Sequence, residues 1–216
     1  MRALIRNLRI SVGVLALVVV APSVCTAQTT AQECLASQQR FAGKSCRGIA
    51  KCYVKAMKQG TAVSAECISK TLVQLVNSAA ETELLANCLV DNEAGNVGNQ
   101  VEAAVDNMAN QLMLTGGRCA GRKMGATGKV CNSFMRCSAT ADAASTTLDP
   151  ACTSTHADRM IHVFNKIEDS PLTCVTTGDQ PTLQAEAQSL ADAVQMVFRG
   201  TGTTTTTTST TSSTIP

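Results

Sequence analysis

The chain has 216 residues, and its 18 Lys and Arg nearly balance its 16 Asp and Glu. This length accommodates one or two domains. The charge balance excludes a global field of the kind that gathers nucleic acid, so we expect no nucleic-acid partner.

The N-terminus is typical of a secretory signal peptide, which we place at residues 1–27. Three arginines at its start precede an apolar run, residues 10–21, that is too short to span a bilayer comfortably. Cleavage is expected after Ala27. A lipid anchor on Cys25 is the alternative, but Val24 stands where a small residue is wanted. Cleavage after Ala27 leaves a net charge of −1 and ten cysteines. We expect a secreted, periplasmic or cell-surface protein with no transmembrane segment in the mature chain.

A first helix is predicted over residues 32–58, which are rich in Ala, Lys and Gln and contain no proline. Six cations on it recur at spacings of 4, 3, 4, 4 and 3, within about 80° of arc. This basic stripe consists of Arg40, Lys44, Arg47, Lys51, Lys55 and Lys58. We consider these the candidate anion-binding residues, with an anionic polysaccharide, a lipid headgroup or an acidic envelope protein as partner.

The alternative interpretation of the basic stripe is a solvated face, or a face that meets acidic residues of the same unit. Those acidic residues are Glu81, Glu83, Asp91, Glu93, Glu102 and Asp106. The stripe is not repeated in full later in the chain, where only Lys129 and Arg136 hold equivalent positions.

Two further helices are predicted before residue 116. Gly60 breaks the first helix, and Ser64 is a suitable N-cap for a second helix that ends before Cys88. A third helix is expected to stop at Gly116 and Gly117. Its apolar face is formed by Val101, Val105, Met108 and Leu112.

The same pattern then recurs. The steps between the first five cysteines after residue 27 are 12, 6, 15 and 21, and the steps between the next five are 12, 6, 15 and 22. Such a recurrence indicates an internal duplication. We therefore predict an all-α fold of two tandem disulfide-stapled helical hairpins, each with a third packing helix, as repeat 1 (28–115) and repeat 2 (116–199). In repeat 2, Asp179 and Pro181 are start signals for the third helix.

Cysteine spacing also favours one connectivity, because bridged residues in an antiparallel hairpin lie at equal distances from the turn. Two pairs are centred near Gly60 and two near residues 144–147. We predict the disulfides Cys34–Cys88, Cys52–Cys67, Cys119–Cys174 and Cys137–Cys152. Closing loops of these sizes contributes roughly 3–4 kcal/mol per bridge through chain entropy.

Cys46 and Cys131 fit neither set of pairs centred on a turn, since each lies six positions before a cysteine of such a pair. The repeat relates one to the other, so a Cys46–Cys131 bridge between the units is the preferred interpretation. Two free buried thiols, or contact with a second molecule or ligand, remain alternatives.

Other patterns point to no catalytic, cofactor or metal site. Asp158 and His162 could share a helix face, but repeat 1 has no histidine at the positions of His156 and His162. The sequence Gly43-Lys44 lacks the upstream glycine of a phosphate-binding loop. Residues 200–216 are mostly Thr and Ser and are predicted to form a disordered tail.

The string Cys119-x11-Cys131-x5-Cys137-x14-Cys152, followed by Cys174-Val-Thr-Thr-Gly-Asp179, resembles a repeat of uncharacterised exported bacterial Cys-rich helical proteins with Thr-rich tails. The likeness covers residues 34–200 and is closer in repeat 2, since Cys88 is followed by Leu-Val-Asp-Asn. Cys46 and Cys131 are additions to that pattern. The resemblance implies the helical-repeat fold and no activity.

These patterns predict a non-enzymatic, secreted or cell-surface structural or binding module of unknown ligand. Rigid stapled helices present fixed faces, which suits recognition. One alternative is a hydrolase (protease) inhibitor of stapled helical-hairpin type, with reactive turns around Gly60 or Thr146. Another is a thiol- or metal-handling protein that uses Cys46 and Cys131.

Overall fold

A computed structural model describes residues 26–113 and 116–201, with the backbone alone for residues 26–30. These residues form six α-helices and no strand, so the predicted all-α fold is confirmed. The helices are α1 (Thr26–Gln59), α2 (Ala65–Leu85), α3 (Ala94–Gln111), α4 (Gly117–Ala143), α5 (Pro150–Glu168) and α6 (Gln180–Phe198). Residues 1–25 of the predicted signal peptide and residues 202–216 of the predicted tail lie outside the described ranges.

Most predicted helix ends are observed, and the residues that end or cap the helices do so in the way that the sequence predicts. Gly60 adopts a positive φ of 65° and ends α1. The Ser64 hydroxyl accepts a hydrogen bond from the backbone N–H of Cys67, which satisfies one free donor at the start of α2. Asp149 caps α5 in the same way through the N–H of Ala151. The hairpin turns therefore lie where the sequence places them.

Three helix ends differ from expectation. Helix α1 begins at Thr26, earlier than the predicted start at residue 32. Helix α3 ends at Gln111 and not at Gly116, because Met113 already takes a positive φ of 55° and turns the chain. Asp179 stands at the N-cap of α6 but makes no capping hydrogen bond, since its carboxylate binds Lys123 and Thr176 instead.

Five disulfides join the helices, and they are the pairs that the cysteine spacing predicts. In the first unit, Cys34–Cys88 and Cys52–Cys67 staple α1 to α2 and the segment after it. In the second unit, the staples between α4, α5 and the segment after α5 are Cys119–Cys174 and Cys137–Cys152. Their Cα–Cα distances, 5.3–5.9 Å, match between units. This disulfide content fits folding in an oxidising compartment.

Helices α1 and α4 pack against each other, antiparallel and at close range, along a seam of small residues. A Cβ placed on Gly128 would lie 2.5 Å from the Cβ of Ala50, and one on Gly121 would lie 3.4 Å from the backbone oxygen of Val54. Glycine at these positions therefore lets the two backbones approach. At the middle of the seam Cys46 bonds to Cys131, and neither residue is exposed.

Contacts across this seam are reciprocal between the two units. Equivalent residues of the units are 85 positions apart, which is the separation of Cys46 and Cys131. Gly128 approaches Arg47 and Ala50, while Gly43 approaches Asn132 and Met135. The same offset relates Gly43 to Gly128, Arg47 to Asn132 and Ala50 to Met135. The two units therefore pack like the halves of a symmetric dimer, with an approximate two-fold axis near the Cys46–Cys131 bridge.

The units share one core and are not separate globules. Buried apolar residues of both belong to a single cluster, and α3 and α6 cover the α1–α4 pair. The predicted face of α3 is fully buried, and so are Leu183, Ala187, Val194 and Phe198 of α6. None of the helices within residues 26–113 and 116–201 has the length and apolar character needed to cross a bilayer.

Candidate anion-binding face

All six residues of the basic stripe are exposed on α1. Within the described ranges, the ion pairs join Lys123 to Glu168 and Asp179, and Arg199 to Asp142. None of the stripe cations is paired there. The stripe therefore forms no ion pair with the acidic residues of its own unit within the described ranges, and its exposure is that of a solvated face.

The stripe borders a groove of about 820 Å³ between α1, α2 and α4, which we call groove one. Its rim carries five cations, of which four come from the stripe and one from α4, and no Asp or Glu of the described residues lines it. These five are Arg40, Lys44, Arg47, Lys51 and Arg136. Lys55 and Lys58 do not line this groove.

A second groove of about 760 Å³, groove two, lies between α4, α5 and the C-terminal half of α1. Its walls too, over the part of the chain that the structure describes, contain cations and no Asp or Glu. The cations are Arg47, Lys58, Arg122, Lys129, Arg136 and Arg159. Arg122 and Arg159 could not be predicted from a charge stripe, because they lie on different helices with no shared spacing.

His156 is partly buried in the wall of groove two. Burial first, and then the charges of Arg159 and Arg136, lower the pKa of His156 below its usual value. Two of the guanidinium groups of groove two therefore lie close enough to His156 to act on its imidazole. An anion bound beside His156 would reverse the effect and raise its pKa.

Acidic side chains gather elsewhere on the molecule, which is why a near-neutral chain can hold a basic face. Glu102 and Asp106 line a separate groove, where the Tyr53 hydroxyl donates a hydrogen bond to Asp106 over 2.6 Å. Burial, followed by that hydrogen bond, raises the pKa of Tyr53 far above its usual value. Glu102 and Asp106 therefore lie outside both basic grooves.

The remaining predicted sites offer little chemistry. Cys46 and Cys131 are bonded to each other and buried, so neither sulfur is a thiolate available to a metal or a redox partner. Cys137, Cys152 and His156 lie close enough together to suggest a metal site, but the two sulfurs form a disulfide. Gly43 and Lys44 lie in the middle of α1, where Gly43 serves helix packing.

The turns proposed as inhibitor loops are exposed at Gly60 and Thr146. Each turn is closed by a disulfide spanning 15 residues, Cys52–Cys67 and Cys137–Cys152. No contact of either turn with the rest of the described chain distinguishes a reactive loop from a plain hairpin turn, and the inhibitor alternative stays a prediction.

Lys123 is a buried charge that was not predicted from the sequence. Lys123 is fully buried, and its Nζ donates hydrogen bonds to the backbone oxygen of Thr176 over 2.7 Å and to Asp179 Oδ1 over 2.8 Å. It also lies 2.5 Å from Glu168 Oε1 and 5.6 Å from the centre of the Phe164 ring. This network ties α4 to the segment before α6, so its role is structural.

The equivalent position in the first unit is Gln38, whose amide donates to Glu83 over 3.0 Å. The offset that relates Cys46 to Cys131 also relates Gln38 to Lys123 and Glu83 to Glu168. Both units therefore contain this polar contact, which we call the polar latch: Gln38 with Glu83 in the first unit and Lys123 with Glu168 in the second.

Comparisons with known proteins identify no relative: no family model, no curated protein and no solved structure matches this chain. The resemblance to the exported bacterial repeat accordingly stays an expectation from the cysteine pattern, and function has to be argued from the two grooves.

Proposed function

We propose that this protein is a non-enzymatic, secreted or cell-surface binding module that holds an anionic polysaccharide on its basic face. The observation that carries the proposal is the concentration of nine exposed cations around two grooves of a disulfide-stapled scaffold, with no carboxylate among the described residues of the groove walls. Exposed cations collected in a concave surface focus their field outward and attract polyanions.

A polysaccharide suits the grooves better than a nucleic acid does. Single-stranded nucleic acids require aromatic side chains on which bases stack. The aromatic ring in the wall of groove one is Phe41, and the ammonium of Lys44 lies over it at 5.1 Å from its centre. One face of this ring is thus occupied, and no Phe, Tyr or Trp among the described residues lines groove two, whereas sulfate and carboxylate groups need only the cations.

The scaffold supports this role because it keeps the cations in place. Four disulfides fix α2 and α5 against α1 and α4, and the fifth fixes α1 against α4. Less conformational freedom is then lost when a ligand binds.

Removing four of the five groove-one cations is expected to weaken binding to a sulfated polysaccharide of heparin type by roughly a hundredfold or more at low salt. The variant carries Gln at Arg40, Lys44, Arg47 and Lys51. Each cation near an anionic surface contributes about 1 kcal/mol. Retention on the immobilised polysaccharide and titration calorimetry measure the loss.

A matched control removes the same number of charges outside both grooves, by placing Gln at Lys55, Lys70, Arg118 and Lys166, which are all exposed. The control should lose less than fivefold. An equal loss in both variants would show attraction by net charge and not by the groove. Failure of the unsubstituted chain to bind any anionic polysaccharide contradicts the proposed function.

A further inference from the structure

The two grooves occupy equivalent places in the two units. Adding 85, the separation of Cys46 and Cys131, to the number of a residue in the wall of groove one gives, in most cases, a residue in the wall of groove two. Lys44 corresponds in this way to Lys129, and Lys51 corresponds to Arg136. Further pairs are Phe41 with Ala126, Thr71 with His156, Gln74 with Arg159 and Leu75 with Met160. The grooves are therefore two copies of one surface, placed on either side of the α1–α4 seam.

The grooves meet at the seam. Arg47, Asn132 and Arg136 line both of them, so the two grooves adjoin at these three residues. Arg47 and Asn132 are equivalent positions, and each follows directly after a cysteine of the Cys46–Cys131 bridge. The junction thus lies near the approximate two-fold axis, at a point that the disulfide holds in place.

The distance along α1 limits what can fill both grooves at once. Arg40 lines groove one and Lys58 lines groove two, and both lie on this one helix. At a rise of about 1.5 Å per residue, their separation along the helix axis is about 27 Å. A single phosphate, sulfate or lipid headgroup reaches only one groove, whereas an extended chain with charges along its length reaches both.

From this arrangement, and resting on the proposed function, we infer that grooves one and two form a single track for one linear anionic polysaccharide, which crosses the two-fold axis at Arg47, Asn132 and Arg136. The partner is a polymer with anionic groups along its length, not a compact anion. Engaging the second groove is then intramolecular, which raises affinity through effective concentration without new kinds of contact.

The track is tested with the full chain and heparin-derived oligosaccharides of defined and increasing length, by titration calorimetry. Affinity is expected to rise by roughly a hundredfold between oligosaccharides that fill one groove and those that span both. Stoichiometry should fall from two short oligosaccharides per chain to one long oligosaccharide per chain. Affinity that is independent of length, or two long oligosaccharides bound per chain, overturns the single track.

Equivalent substitutions identify the contribution of each groove. Lys44→Gln acts in groove one and Lys129→Gln in groove two, and both residues are exposed, so the fold is retained. Each should weaken binding of the spanning oligosaccharide about fivefold. Lys55→Gln, on α1 but outside both grooves, is the control. A Lys129→Gln variant that binds the spanning oligosaccharide as the unsubstituted chain does contradicts the track.

His156 reports on groove two independently of affinity. Nuclear magnetic resonance of its imidazole should show the pKa of His156 rising when the spanning oligosaccharide binds, because sulfate groups then offset Arg159 and Arg136. An unchanged pKa under saturating oligosaccharide shows that groove two is empty and refutes the track, while the proposed function survives through groove one. If no oligosaccharide of any length binds, both proposals fail.

Discussion

Gly128→Ala is expected to lower the free energy of unfolding by about 1–3 kcal/mol, although alanine normally favours a helix. The new Cβ would lie 2.5 Å from the Cβ of Ala50, well inside the roughly 3.5–4.0 Å of an ordinary carbon contact. Helices α1 and α4 would have to move apart, while the Cys46–Cys131 bridge beside this position resists separation. Urea unfolding with the disulfides intact measures the change.

Gly125→Ala is the matched control, since it lies on the same helix, one turn before Gly128. Its new Cβ would lie 3.6 Å from Val54 Cγ2, an ordinary contact. This variant should therefore be neutral or more stable by up to about 1 kcal/mol, because alanine restricts the unfolded chain. Equal destabilisation of both variants, or none in Gly128→Ala, would show that α1 and α4 are not in close contact at Ala50.

Lys123→Ala is expected to lower the free energy of unfolding by roughly 3 kcal/mol, since it leaves partly buried carboxylates without their cation. The Nζ of Lys123 donates hydrogen bonds to Asp179 and to the backbone oxygen of Thr176, and it forms an ion pair with Glu168. Asp179 is only 12% exposed, so water replaces the lost contact poorly. The substitution also removes the packing of the lysine stem. Denaturant unfolding at constant pH provides the measurement.

The first unit suggests the control for this experiment. Gln38 holds the equivalent position and donates to Glu83, so an amide can serve as the latch. Lys123→Gln should accordingly lose less than Lys123→Ala. If Lys123→Ala loses no more than an ordinary surface substitution does, about 0.5 kcal/mol, this charge does not tie α4 to the segment before α6.

Local sequence signals were sufficient to predict the turns and the disulfide pairing of both hairpins. Gly60 and Ser64 determine a turn through their own backbone and side-chain preferences, and cysteines placed evenly about such a turn have few other partners within reach. Cys46 and Cys131 fit no hairpin pair but hold equivalent positions in the two repeats. This was sufficient to predict the bridge between units.

The remaining features depend on how α1 and α4 meet, and helix periodicity does not determine this. An apolar face shows that a helix is buried but not against which partner. Gly43 drew attention only through an unrelated motif, and the role of Gly43 and Gly128 follows from reciprocal contacts across the seam. Lys123 was hidden because its partners Glu168 and Thr176 are distant in the sequence and meet it only through tertiary packing.

Only part of the candidate anion-binding face could be predicted from the sequence. The stripe on α1 was visible because one helix supplies a regular spacing of charge. Arg122 and Arg159 join it only through the packing of α4 and α5 around groove two. Lys55 shows the converse, since it shares the spacing of the stripe but lines neither groove.

A non-reducing peptide map of the purified protein, with free thiols blocked before digestion, tests the two-fold arrangement most directly. It should show Cys46 linked to Cys131, no free thiol among the ten cysteines from 34 to 174, and four staples confined within their own units. Free thiols at 46 and 131 would remove the covalent link at the axis. Cys52 bonded to Cys34, or Cys67 bonded to Cys88, would contradict the hairpins on which both grooves are built.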